Sequence, residues 1–174
     1  MRPCIILLTL CLVVTGTAMA DTFNFTYTGG LYNGSGTLQA TNNGNGTFTA
    51  TSGSGLFDGF AISLIANPNA PNNSNSPSGA FYYDDLLFPT GSPVIDSGGL
   101  LFSINGLGAT ELNFCSTGAG CGSTYTALLN NGGGDTGRFT LQAVPEPSTL
   151  TFLGLGLLGI ATLKRRISQS DSVQ

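Results

Sequence analysis

Thr22-Phe23-Asn24-Phe25-Thr26-Tyr27-Thr28 carries an aromatic ring on every second residue, with Thr and Asn between. Side chains alternate across a strand, so the three rings share one face and the polar residues share the other. This is the pattern of a half-buried β-strand. The residues downstream repeat it. Gly36–Thr41 presents Leu38 and Ala40 to one side, and Thr47–Thr51 presents Phe48 and Ala50. Between them stands Asn42-Asn43-Gly44-Asn45-Gly46. Asn-Gly supplies the positive φ that a tight hairpin needs, so these two runs pair. The loop has no carboxylate and is not a calcium loop.

Further runs follow at Phe60–Ile65, Leu100–Ile104, Thr110–Cys115, Ser123–Leu129 and Gly137–Val144. In the last, Phe139, Leu141 and Ala143 alternate with Arg138, Thr140 and Gln142. Asn67–Gly79 has no periodicity and reads as a solvated, mobile loop. Phe81–Phe88 is a hydrophobic run with Asp84-Asp85 at a solvated strand end, followed by Pro89, Gly91 and Pro93. No helix-period run occurs between residues 21 and 144. About eight or nine short antiparallel strands with Gly/Asn turns make an all-β domain, a single β-sandwich or a barrel-like fold.

Both ends of the chain differ from this body. Arg2 and the apolar run Cys4–Val14 precede Ala18-Met19-Ala20. A basic residue, an apolar stretch and small residues at −3 and −1 form a secretory signal peptide over residues 1–20, expected as a helix, with signal peptidase cutting after Ala20. Leu10 before Cys11 is too large for a lipoprotein site. At the other end, Pro145-Glu146-Pro147 is held extended, because each proline fixes its own φ and restricts the residue before it. An uncharged run, Leu150–Leu163, follows, and then Lys164-Arg165-Arg166. The 14 residues from Leu150 to Leu163 cover about 21 Å as a helix. Counting from Pro147 and letting Lys164 and Arg165 reach toward water closes part of the gap to a hydrocarbon core about 30 Å thick, so the helix at 148–163 is expected to be a weak, marginal anchor.

Proline pair, apolar helix and basic stop together resemble the PEP-CTERM sorting signal of exported bacterial proteins. The resemblance covers residues 145–166 and nothing upstream. Residues 167–174 form a tail longer than the signal usually carries, expected in the cytoplasm with the Lys164–Arg166 stop. The resemblance implies an exosortase-like membrane enzyme that acts near Pro145, Glu146 and Pro147. It also implies a Gram-negative host that makes exopolysaccharide. The expected course is export across the inner membrane, transient anchoring there, and delivery to the cell surface or outside.

The exported domain, residues 21–144, carries seven acids and one base, Arg138, for a net charge near −6. So acidic a surface excludes nucleic acid as partner. The chain has no histidine, which removes Ser-His-Asp and Cys-His catalysis and imidazole metal ligands. No cofactor and no metal site are expected, and the domain reads as non-enzymatic. Cys115 and Cys121 remain after the signal peptide leaves, and in an oxidising compartment they are expected to join. Asp84 and Asp85 are adjacent, but neighbours in a strand face opposite ways and cannot act as one pair. A second reading is a carbohydrate- or calcium-binding module. It would use Asp84 and Asp85, or a platform of Tyr32, Tyr82, Tyr83 and Tyr125. A third is a hydrolase that pairs Asp85 with Glu111 or Asp96.

Overall fold

The computed structural model describes residues 21–116, 124–145, 154–156 and 159. Its strands are β1 (Asp21–Gly29), β2 (Asn33–Asn42), β3 (Phe48–Phe57), β4 (Phe60–Leu64), β5 (Ser74–Asn75), β6 (Tyr82–Tyr83), β7 (Leu86–Leu87), β8 (Leu100–Ile104), β9 (Glu111–Cys115), β10 (Tyr125–Leu129) and β11 (Gly134–Ala143). The main sheet runs β2-β1-β11-β10-β9-β8-β4-β3, and β3 pairs back to β2. Eight antiparallel strands therefore close on themselves, each beside its neighbour in the chain. β7 adds two residues to the start of β3. The single β-sandwich is corrected to its barrel-like alternative, a closed up-and-down barrel. The physical reason is the pairing of β1 with β11: once Phe23 stands opposite Ala143, neither terminal strand has a free edge.

An eight-stranded barrel is just wide enough for side chains to fill it, and here rings fill it. Phe23, Phe25 and Tyr27 point inward as their spacing predicts, and all are buried. Phe114 sits among Phe25, Tyr27, Phe57, Phe102 and Phe139, with ring centroids 5.1–6.0 Å apart. Phe139 is buried as expected, whereas Leu141 is half-buried and Ala143 exposed at the barrel end. The β2–β3 hairpin forms at Asn42–Gly46. Gly44 and Gly46 take φ of 79° and 85°, and the Asn43 amide donates to the Thr47 carbonyl at 3.0 Å. Both strands run further than their side-chain pattern shows. Gly36 faces Gly55 across the ladder, and the Phe25 ring occupies the space a Gly36 side chain would need, 2.7 Å from its Cβ position. Glycine there lets the sheet turn a tight barrel corner.

Residues 65–99 leave the barrel after β4 and return at β8, covering the outer faces of β8 and β9. This explains why all five residues of β9 are buried. Two expectations are corrected. The loop Asn67–Gly79 is mostly exposed, as expected, but it contains β5 and is anchored by buried Asn67 and Ser76. The run Phe81–Phe88 is broken into β6 and β7 at Asp85, whose φ is +58°.

The signal-peptide helix falls on residues 1–20, outside the described residues. Of the expected membrane helix, residues 154–156 and 159 are described and are helical. No helix among the described residues is long and apolar enough to cross a membrane.

Candidate functional site

Two places bear on function. The first is the junction of barrel and tail. β11 pairs with β1 from Gly137 to Ala143, and the Val144 amide extends the ladder by donating to the Thr22 carbonyl at 2.8 Å. Pro145 has no N–H to continue it and is exposed. Asp21 begins β1 opposite Ala40. Antiparallel pairing of β1 and β11 thus brings Asp21, where signal peptidase is expected to leave the mature end, and Val144, where the tail begins, to one end of the barrel. The remaining expected sorting residues (Glu146, Pro147, Lys164, Arg165 and Arg166) and the cleavage residues Ala18 and Ala20 lie outside the described residues.

The second is an acid cluster under the excursion of residues 65–99. Asp84 and Asp85 are 4% and 0% exposed, against the expectation of a solvated strand end. They do face different ways. Asp84 accepts from the Leu86 amide at 3.1 Å, packs against Gly98 and faces the Asp96 carboxyl. Burial pushes its pKa up to about 6, and the Asp96 charge adds to this. Asp96 accepts from the Gly98 and Gly99 amides and borders a cavity of about 320 Å³ with Phe88, Gly91, Ser92 and Pro93. Asp85 is locked at both backbone ends, its amide to the Gly99 carbonyl (3.0 Å) and its carbonyl to the Ala50 amide (2.9 Å). Its Oδ2 accepts from the Asn67 amide at 2.7 Å, while Oδ1 has no hydrogen-bond partner at normal distance among the described residues. Burial pushes its pKa up to about 7, the Asn67 and Leu101 amides pull it back, and the Asp84 charge adds a further rise.

The other acids are set apart. Glu111 is buried and accepts from the amide (2.8 Å) and hydroxyl of Ser78, which pins the excursion to β9. Asp135 accepts from the Leu31 and Tyr32 amides at 2.9 and 3.0 Å. Its desolvation is outweighed by the amides of Tyr32, Leu31, Gly30 and Thr136, which hold its pKa below the usual carboxylate range. The Tyr27 hydroxyl donates to the Asp135 carbonyl at 2.7 Å, and burial with the Asp135 charge raises its pKa to about 12.

Among the described residues no three His, Cys, Asp or Glu side chains are placed to hold a metal ion. The tyrosine platform does not form. Tyr83 is buried, Tyr32 and Tyr125 pack against the core, and Tyr82 is the exposed one of the four. Cys115 is buried at the end of β9, and its expected partner Cys121 lies outside the described residues. The sequence offered Asp96 as a partner of Asp85, whereas the structure brings it to Asp84 instead. The signal that could have found it is β9, whose outward residues Glu111 and Asn113 are too polar for a strand covered on both faces unless something bonds them.

The family model described as the PEP-CTERM protein-sorting motif matches residues 143–166. The chain carries that motif, as its proline pair, apolar run and basic stop indicate. The match starts at Ala143, the last residue of β11. It supports an exported protein directed to an exosortase-type processing partner at a membrane. No curated protein and no solved structure matches the chain.

Proposed function

We propose that this chain is a non-enzymatic exported barrel whose destination is the cell surface or the extracellular matrix. Signal peptidase removes residues 1–20. The helix at 148–163 then holds the barrel at the inner membrane, with Lys164–Arg166 as the stop, until an exosortase-like enzyme acts near Pro145-Glu146-Pro147. Exopolysaccharide is the matrix partner this reading favours, and Cys115–Cys121 is the staple it expects in an oxidising compartment. The observation that carries the reading is the sorting motif starting where the closing strand of the barrel ends.

What supports a passive role is the way the polar groups are used. The interior is filled by rings, and Glu111, Asp135 and Oδ2 of Asp85 each accept amide hydrogens that fasten one segment to another. The test replaces Pro145, Glu146 and Pro147 with alanine and follows the protein by fractionation. The variant should accumulate at full length in the inner membrane while wild type is released. Equal release of the two defeats the sorting reading.

A further inference from the structure

We propose that the outer wall built from β11, β1, β2 and the β3–β4 turn is a two-fold interface with a second copy of this chain.

The wall carries Arg138, the one base of the exported domain. Arg138 is exposed, and its side chain has no ion-pair or hydrogen-bond partner among the described residues. Register places it in a row that crosses the sheet. Arg138 stands opposite Thr28, Thr28 stands opposite Asn33, and the Asp58 amide donates to the Asn33 carbonyl at 2.8 Å. All four residues are exposed. At about 4.8 Å for each strand step, Arg138 and Asp58 stand roughly 14 Å apart along the row. A two-fold axis between Thr28 and Asn33 carries each charge onto the opposite charge of the other copy. Arg138 then meets the second copy's Asp58, and Asp58 meets the second copy's Arg138. This is the self-complementarity that an isologous contact needs.

The same rotation brings a knob to a hollow. Leu31 is 70% exposed at the β1–β2 turn, above the row, where Asp135 holds its amide and that of Tyr32. Below the row, Thr26, Ser35 and Leu56 line an open cleft of about 430 Å³ that Asp58 borders. The axis sets the Leu31 of each copy over the cleft of the other. A knob already fixed in place loses little conformational freedom on docking.

The charge balance favours this wall over any other. With seven acids and one base in the exported domain, two copies that meet through a different wall bring no cation to the contact. The wall also lies toward the barrel end opposite Asp21 and Val144, so neither the expected mature end nor the tail covers it.

The test is sedimentation equilibrium of the barrel, residues 21–144, which holds every barrel strand and the whole aromatic core. Wild type should be a reversible dimer at micromolar concentration that weakens as salt is raised. Arg138→Glu and Asp58→Lys should each weaken dimerisation by about tenfold or more, because each sets like charges together, while near-UV circular dichroism stays that of wild type. Asp58→Asn suits the left-handed φ of 52° at that position, so its smaller weakening separates the loss of charge from any effect on the turn. Mixed in equal amounts, R138E and D58K should pair with each other, since both contacts then join opposite charges. Leu31→Ala should weaken the dimer and leave the urea midpoint of the fold unchanged. The proposal is overturned by a wild type that stays monomeric across the concentration series or by a dimer indifferent to both charge reversals. It is equally overturned by an R138E and D58K mixture no more associated than its parts, or by an L31A dimer as tight as wild type.

Discussion

Raising the pH from 4.5 to 8 should destabilise the barrel, and replacing Asp85 by Asn should remove most of that loss. Asp85 has no exposed surface, and its pKa rises from 3.8 to about 7 on folding. A carboxyl whose folded pKa is raised binds its proton more tightly in the native state. Its contribution is intact below about pH 4 and is lost as pH climbs through about 7. At about 1.4 kcal/mol for each tenfold change in proton affinity, that rise is worth roughly 4 kcal/mol. Relaxation of residues 65–99 makes this an upper bound. Asp84 moves the same way, through burial and its face-to-face approach to Asp96. Asn at 85 is neutral at every pH, and its carbonyl can still accept from Asn67. Urea unfolding of the barrel, residues 21–144, at pH 4.5, 6 and 8 measures this. Wild type should fall by a few kcal/mol across the series, whereas D85N should fall by clearly less, keeping only the Asp84 share of the loss, and should be the more stable protein at pH 8. A wild type that gains stability between pH 4.5 and 8, or a D85N less stable than wild type at pH 8, refutes the reasoning.

Phe114→Ala should cost about 3–5 kcal/mol in the same assay, because that ring touches five others across the barrel. Gly36→Ala should cost about 1–3 kcal/mol, since its methyl would meet the Phe25 ring and the Ser54 carbonyl; near-UV circular dichroism of the aromatics reports the repacking. Ser78→Ala should cost about 1–3 kcal/mol by removing a hydroxyl donor from buried Glu111, and amide exchange should quicken in 74–83 before it does in β1. Asp135→Asn should weaken the clip on Leu31 and Tyr32 and flatten stability below about pH 4. Its lowered pKa means that stability is present above the unfolded value and lost as pH falls through the folded one.

The strands were legible wherever side chains alternate, because period two is a property of the pattern itself. Phe23, Phe25 and Tyr27 fixed their own faces, and Asn42–Gly46 fixed the hairpin. The ends of β2 and β3 were silent because Gly34, Gly36, Gly53 and Gly55 have no side chain to alternate. The match of small to small that makes the corner became visible only once Gly36 stood against Gly55. Closure was hidden for a different reason. It depends on β1 meeting β11 more than a hundred residues away, and two good half-buried strands serve a sandwich as well as a barrel. The acids mislead because a charge beside an apolar run usually marks the wet end of a strand. Here Asp85 turns left-handed instead, and the segment folds back over β8 and β9.

Closure and sorting depend on each other. An open sheet would leave β1 or β11 as an exposed edge next to the membrane, inviting pairing with a second chain or with the processing enzyme. In the barrel the two terminal strands satisfy one another, and the first unpaired residue beyond them is a proline that cannot add to any ladder as donor. With Asp21 and Val144 at one end of the barrel, the proposed removal of residues 1–20 and of the tail would leave every barrel strand paired on both sides. A protein with seven acids and one base in its exported domain has little edge charge with which to repel a wrong partner. The geometry of the junction supplies that protection instead.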